Sequence, residues 1–176
     1  MGSDSSFDRI VLIGFPGSYK TSAGAAAAVE LDFAYVDTDR EFEKSFGPVA
    51  VFVERMGEPL FRIKETVIVK HISGRQRAVI STGGGTPCFG QNMRLLTESS
   101  LVIWLDADIK ELFNRLGDSG SSARPLLPKS LDQAAALYRE REPVYKRHAH
   151  VRIDTTGFTP EQAAEKIVSI YRGLVQ

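Results

Sequence analysis

Residues 9–24 read RIVLIGFPGSYKTSAG, and this stretch decides the fold. Ile10-Val11-Leu12-Ile13 is a continuous apolar run that stops at Gly14. A loop of small residues follows, then Lys20-Thr21 and the small-residue stretch Ala23 to Ala28. The apolar run suits a strand buried on both faces. The Ala-rich segment suits a helix lying close to the sheet. Strand, loop, helix is the setting in which G-x-x-x-x-G-K-S/T cradles nucleotide phosphates, because successive backbone N–H groups and a helix N-terminus attract the anion. Here the octet is GFPGSYKT, with Gly14, Lys20 and Thr21 in place and Tyr19 where the pattern has its second Gly. Lys20 would set a compact positive charge on the β and γ phosphates of ATP, and Thr21 would give a hydroxyl to Mg²⁺. Gly17, Ser18, Tyr19 and Ser22 complete the expected ATP-binding loop. An ordinary strand-to-helix turn is the plainer reading of the same residues.

Tyr19 carries its own expectations. The Gly at this position often adopts a left-handed backbone, which costs an L-residue roughly 1–2 kcal/mol. A Cβ and ring also threaten the close approach of backbone to phosphate. Weaker ATP binding or slower phosphoryl transfer is the expected consequence, with the ring pointing to solvent or stacking elsewhere.

Outward from the loop, strands and helices alternate. Strands are predicted at 9–13, 34–36, 78–82, 101–105 and 151–153. Helices are predicted at 20–31, 40–57 with a break near Gly47-Pro48, 58–72, 90–97, 108–116 and 131–147, with a last one from a Thr159 N-cap to about residue 172. This alternation gives an α/β class with a parallel sheet covered on both faces. Within 58–72, Leu60, Ile63, Val67, Ile68 and Ile72 fall near helical spacing and predict an amphipathic helix. Arg62 and Glu65, three apart, share one of its faces. Residues 117–129, GDSGSSARPLLPK, form either a flexible connection or an active-site lid. Residues 1–7 read as a disordered lead and 8–176 as one domain.

Composition narrows the function classes. Lys plus Arg and Asp plus Glu number 22 each, so the formal net charge of zero argues against a diffuse nucleic-acid or membrane footprint. No apolar stretch approaches a membrane span. The lone Cys88 excludes an internal disulfide framework and fits a reducing, cytoplasmic compartment. A monomer with small-molecule partners is the expectation.

Candidate chemistry gathers at strand ends, where parallel sheets bind ligands. Of Asp37 and Asp39, one carboxylate can hold Mg²⁺ through water and the other can accept a substrate hydroxyl or its proton. Helix capping by Thr38 or Asp39 is the plainer reading. Arg62, held by Glu65, presents a fixed fork for a carboxylate substrate, although the same pair can be an ordinary surface ion pair. Gly83-Gly84-Gly85 let the backbone bend and expose N–H groups to a ligand, or simply make a turn. Arg124, in the candidate lid, can swing over transferred phosphate. Arg141 can supply a second fork. Each of these two arginines, taken alone, also suits solvated surface. His148 and His150 lack further close ligands and read as incidental.

Taken together, GFPGSYKT, DTD at 37–39, GEPLFRIKE at 57–65, STGGG at 81–85, ARPLL at 123–127 and REPVY at 141–145 resemble the shikimate kinases in order and spacing. The similarity covers about residues 9–172. It implies a three-layer α/β/α fold of the nucleoside monophosphate kinase type, with a five-stranded parallel sheet, a lid at about 117–129 and a substrate-binding segment at about 38–72. The implied reaction is transfer of the ATP γ-phosphoryl to the 3-hydroxyl of shikimate, in chorismate and aromatic amino-acid biosynthesis. The implied roles are Lys20 on phosphates, Thr21 on Mg²⁺ with Asp37 supporting it through water, and Asp39 on the shikimate hydroxyls and as base. Arg62 and Arg141 would bind the carboxylate, the Gly83–Gly85 backbone would close on the ring, and Arg124 would act from the lid. The match departs at Tyr19 and at DTTGFTP, which lacks an Arg that some members place against adenine. Two other readings stand beside this one. One is a shikimate-binding, kinase-like protein impaired at Tyr19; the other is a P-loop kinase for another small acid.

Overall fold

The computed structural model describes residues 7–118 and 126–175. Five strands build the sheet: β1 (Arg9–Ile13), β2 (Ala34–Asp37), β3 (Ala78–Ser81), β4 (Ser100–Asp106) and β5 (Val151–Asp154). They pair in parallel in the order β2-β3-β1-β4-β5. The phosphate-loop strand is therefore central, with Leu12 in register with Ser81 on one side and Ile103 on the other.

The helices are α1 (Lys20–Leu31), α2 (Thr38–Phe46), α3 (Val49–Met56), α4 (Glu58–Ile72), α5 (Asn92–Thr97), α6 (Ile109–Asp118), α7 (Leu131–His148) and α8 (Pro160–Leu174). A short 3₁₀ turn spans Thr86–Cys88. Alternation along β1 assigns the two cores. Val11 and Ile13 face a cluster with Phe42, Phe61, Val69, Leu112 and Tyr145, while Ile10 and Leu12 face one with Ala23, Ala27, Ala163 and Ile167. The three-layer α/β/α arrangement expected from the sequence is thus observed.

The small residues of α1 have a visible use. A methyl group on Gly24 would stand 2.6 Å from Ser81 Oγ and 2.8 Å from Leu12 Cδ1, so the helix rests directly on the sheet. At the sheet's amino end Arg9 is buried and acts as a tie. Its Nε donates to Ser100 Oγ at 2.6 Å and its Nη2 to the Glu98 carbonyl at 2.6 Å, with a further bond to the Ser73 carbonyl. Burial lowers its pKa against the opposing pull of Asp8 and Glu98.

Two predicted boundaries move for physical reasons. β2 extends to Asp37 and α2 starts at Thr38, two residues before the predicted start. Asp37 itself is the cap: its Oδ1 accepts from the amides of Asp39 (3.0 Å) and Arg40 (3.2 Å), a role the sequence offered to Thr38 or Asp39. In α4 the inward face is made of Phe61, Arg62, Glu65, Ile68, Val69 and Ile72, while Ile63 and Val67 are 55% and 49% exposed. The apolar spacing therefore marks that helix correctly but misplaces part of its buried face. The Gly47-Pro48 break separates α2 from α3 as expected, and Thr159 with Gln162 forms a complete capping box on α8. Among the described residues no helix is long and apolar enough to cross a membrane.

Candidate active site

Because all strands are parallel, their carboxyl ends lie along one edge of the sheet. The loop after β1, Asp37 at the end of β2 and the glycines after β3 meet there. Gly17 has φ 86°, and a Cβ on it would stand 2.5 Å from the Leu112 carbonyl oxygen, so the loop is pressed against α6. Lys20 is buried beneath the loop, its Nζ donating to the Phe15 carbonyl at 2.8 Å and to Ser18 Oγ at 3.2 Å. Thr21 Oγ1 donates to Asp37 Oδ2 at 3.1 Å, and the Tyr35 hydroxyl reaches the same oxygen at 3.2 Å. Burial pushes the Tyr35 phenol up to about 12, the Asp37 charge adding to it against hydrogen bonds from Ser81 and Thr21. Ser22 is exposed, its Oγ donating to the Tyr19 carbonyl at 3.4 Å.

Tyr19 takes the left-handed conformation that its position predicts, with φ 66° and ψ 13°. Its half-buried side chain stacks elsewhere, one of the two expectations for the ring. It lies under the guanidinium of Arg115, whose Cζ is 3.9 Å from the ring centroid.

The substrate side is organised by the glycine strap after β3, through space as much as through amides. A Cβ on Gly83 would stand 2.8 Å from Asp39 Oδ1, one on Gly84 would stand 3.3 Å from Arg141 Nη1, and one on Gly85 would stand 2.8 Å from Arg62 Cζ. The absent side chains are thus where Asp39, Arg141 and Arg62 converge. The expectation of exposed N–H groups needs correction at Gly83, whose amide donates to Thr38 Oγ1 at 2.8 Å. The Tyr145 hydroxyl, at the end of the REPVY segment, anchors the strap by donating to the Gly84 carbonyl at 2.6 Å.

Arg62 is a buried fork, and its pairing with Glu65 is buried while its second partner, Glu58, is half-exposed. Nη1 reaches Glu65 Oε2 at 3.1 Å, and Nε and Nη2 reach Glu58 Oε1 at 3.1 and 2.9 Å. Glu65 Oε1 also accepts from Thr86 Oγ1 at 2.6 Å. Burial works against the Arg62 charge, but Glu65 and Glu58 outweigh it and hold its pKa above the ordinary value. Arg124, with residues 119–125 of the segment read as connection or lid, lies outside the described residues. His150 Nδ1 accepts from the Val102 amide at 3.0 Å, a structural use.

Two groups escape the sequence reading. Arg115 Nη2 donates to the Thr155 carbonyl at 2.8 Å and Nη1 to Thr155 Oγ1 at 3.1 Å, and Glu111 pairs with it. The only signal was the i,i+4 spacing of Glu111 and Arg115. Asp106, fully buried at the end of β4, accepts from the Tyr138 hydroxyl at 2.9 Å and from Arg152 Nε at 2.9 Å. Burial raises its carboxyl, with Tyr138 and Arg152 opposing.

A phosphate loop on a central strand of a five-stranded parallel sheet, facing a carboxylate and two guanidinium forks across a glycine strap, defines a P-loop kinase for a small molecule. The chain belongs to the shikimate kinase family, whose model matches residues 16–172. A shikimate kinase of Persephonella marina is 37% identical over 166 residues, covering 93% of this chain and 99% of that protein. One from Caldicellulosiruptor bescii is 40% identical over 166 residues, covering 93% and 95%. Among solved structures, the shikimate kinase from Acinetobacter baumannii in complex with shikimate superposes with a TM-score of 0.88 at 28% identity, covering 97% of this chain and 96% of that one.

Proposed function

We propose that this protein transfers the γ-phosphoryl group of ATP to the 3-hydroxyl of shikimate. The observation that carries this reading is the convergence of Arg62, Arg141 and Asp39 on the Gly83–Gly85 strap, beside a loop that holds Lys20 and Thr21. Two planar guanidinium forks suit a carboxylate bidentately, and the Asp39 carboxylate on the same strap suits the ring hydroxyls. A kinase for a different small acid has no such observation in its favour. Nor does the reading of Tyr19 as a disabling residue: the loop keeps its left-handed turn with Lys20 and Thr21 in position.

In this reading Lys20 exchanges the Phe15 carbonyl and Ser18 hydroxyl for phosphate oxygens. Arg62, immobilised by Glu58 and Glu65, and Arg141 fix the substrate's carboxylate and so aim its hydroxyl. Asp39 takes the hydroxyl proton as the new P–O bond forms and the bond to the ADP oxygen breaks. Thr21 Oγ1 and Asp37 Oδ2, 3.1 Å apart, are hard oxygen donors of the kind Mg²⁺ takes, while Asp37 Oδ1 is committed to the α2 amides. When bound there, Mg²⁺ supplies neutralisation of charge on the β and γ oxygens. Among the described residues no cluster of three or more His, Cys, Asp or Glu surrounds this point. A cation here would depend on phosphate oxygens and water for its other ligands, as Mg²⁺ does.

The test is ADP release with ATP, Mg²⁺ and shikimate together, and with shikimate omitted. Turnover that requires shikimate is expected, and none would overturn the reading. In the same assay Asp39→Asn should lose at least about a hundredfold in kcat with the fold intact; near-normal kcat would remove Asp39 from the proton transfer.

A further inference from the structure

The Tyr35 hydroxyl has no step of its own in the phosphoryl transfer, yet it lies among the oxygens suited to the cation. Residues i and i+2 of a strand share a face, so Tyr35 and Asp37 leave β2 on the same side, toward α1. The Tyr35 ring packs with the apolar cluster under that helix, where a Cβ on Gly24 would stand 3.2 Å from its Cε2. From this seat the hydroxyl donates to Asp37 Oδ2 at 3.2 Å, and Thr21 Oγ1 donates to the same oxygen at 3.1 Å. Asp37 Oδ1 accepts from the Asp39 and Arg40 amides at 3.0 and 3.2 Å. The last torsion of an Asp side chain is broad, so bonds to Oδ1 alone leave Oδ2 room to swing. Of the two hydroxyls on Oδ2, that of Thr21 is itself a candidate metal donor. That of Tyr35 is carried on a ring packed against Gly24.

We propose that Tyr35 is a positioning residue for the divalent cation that accompanies the nucleotide. Its hydroxyl holds Asp37 Oδ2 beside Thr21 Oγ1, so that the two oxygens of the candidate cation site stay together before the nucleotide arrives. The proposal rests on the kinase reading of the site and adds to it a residue that acts through Asp37. Partners that orient the groups around a metal are typically worth about ten- to a hundredfold in its affinity. Here the α2 amides still hold Oδ1 when the hydroxyl is removed, so the effect belongs at or below the lower end of that range. A hydroxyl that only satisfied a partly buried carboxylate would leave the dependence on the cation unmoved.

The experiment measures ADP binding to the full chain by calorimetry, without shikimate, once with Mg²⁺ and once with EDTA in its place. The ratio of the two dissociation constants is the enhancement that the cation supplies. Tyr35→Phe keeps the ring against Gly24 and removes only the hydroxyl. It should lower the enhancement by about three- to tenfold, while the Kd for ADP in EDTA stays within about twofold of the parent's. In an Asp37→Asn background the same change should lower it by less than about twofold, because the carboxylate it acts through is gone. An undiminished enhancement in Tyr35→Phe overturns the proposal. So does an equal loss of affinity with and without Mg²⁺, which makes the hydroxyl a structural group, and so does a full further loss in the Asp37→Asn background. A parent whose ADP binding gains nothing from Mg²⁺ has no cation to position and overturns it too. The two readings fail separately. A parent that shows the enhancement but never phosphorylates shikimate defeats the kinase assignment alone. A parent that phosphorylates shikimate, with a Tyr35→Phe variant of full enhancement, defeats the positioning role alone. If the parent does not bind ADP under either condition, both fall.

Discussion

At the scale of single residues, the site is built from what glycine omits. A methyl group at position 85 would stand 2.8 Å from Arg62 Cζ, inside the space of a guanidinium already held by Glu58 and Glu65. Gly85→Ala must displace that fork. A charge-assisted pair is worth about 1.5–3 kcal/mol, so KM for shikimate should rise by about ten- to a hundredfold while circular dichroism stays unchanged. An unaltered KM would mean that Arg62 is not what holds the substrate. Much at this scale was legible in the sequence. Lys20, Thr21, Asp39, Arg62 and Arg141 each belong to a short motif whose chemistry is local. Arg115 and the ring of Tyr19 were not legible as a pair, because what joins them is a contact across 96 positions that no spacing rule reports. The Gly83 amide was misread for a similar reason: its acceptor, Thr38, lies 45 residues away.

At the scale of elements, α4 shows where hydrophobic periodicity stops being informative. Periodicity counts apolar side chains, but this helix turns a mixed face inward, with Arg62 and Glu65 between Phe61 and Val69. The buried charges satisfy each other and Thr86, so burying them needs no apolar label in the sequence. Ile63 and Val67 are then free to face outward. The consequence is measurable by urea unfolding. Ile63→Lys should change stability by no more than about 0.5 kcal/mol. Phe61→Ala, which empties a site where Phe42 packs edge-on at 4.9 Å between ring centroids, should cost about 3–5 kcal/mol. Comparable losses for both would place the buried face where the apolar spacing put it. Strand existence was easier to read, since uninterrupted runs such as Leu101 to Leu105 suit only strands covered on both faces. Their ends were harder, because caps such as Asp37 are chosen by side-chain hydrogen bonds that several neighbouring residues could equally supply.

At the scale of the whole molecule, the apolar layers are closed at the site edge by paired polar groups that are buried or half-buried, and three of these are phenols. Tyr35 lies against Asp37, Tyr138 against Asp106, and Tyr145 against the Gly84 carbonyl. Burial is the main cause that raises all three. The Asp37 and Asp106 charges add to it for Tyr35 and Tyr138, and Arg141 opposes it for Tyr145. The sign of the pH dependence follows. A phenol whose pKa is higher in the folded state than its unfolded value near 10 keeps its full contribution below about pH 10. Above that, the unfolded chain releases the proton first, so stability falls as pH rises towards the folded value, about 12 for Tyr35 and higher for the other two. Within that window the buried Tyr145 removes up to about 1.4 kcal/mol per pH unit, and the half-buried Tyr35 and Tyr138 remove less because solvent screens them. Urea midpoints should therefore show no tyrosine-driven loss from pH 8 to 10 and drop steeply beyond, with the phenolate absorbance of these residues appearing together with unfolding. Phenolate absorbance that develops for all tyrosines near pH 10, in a chain still folded, would mean that these hydroxyls are not held at the site edge and that the strap anchored by Tyr145 is looser than its 2.6 Å bond implies.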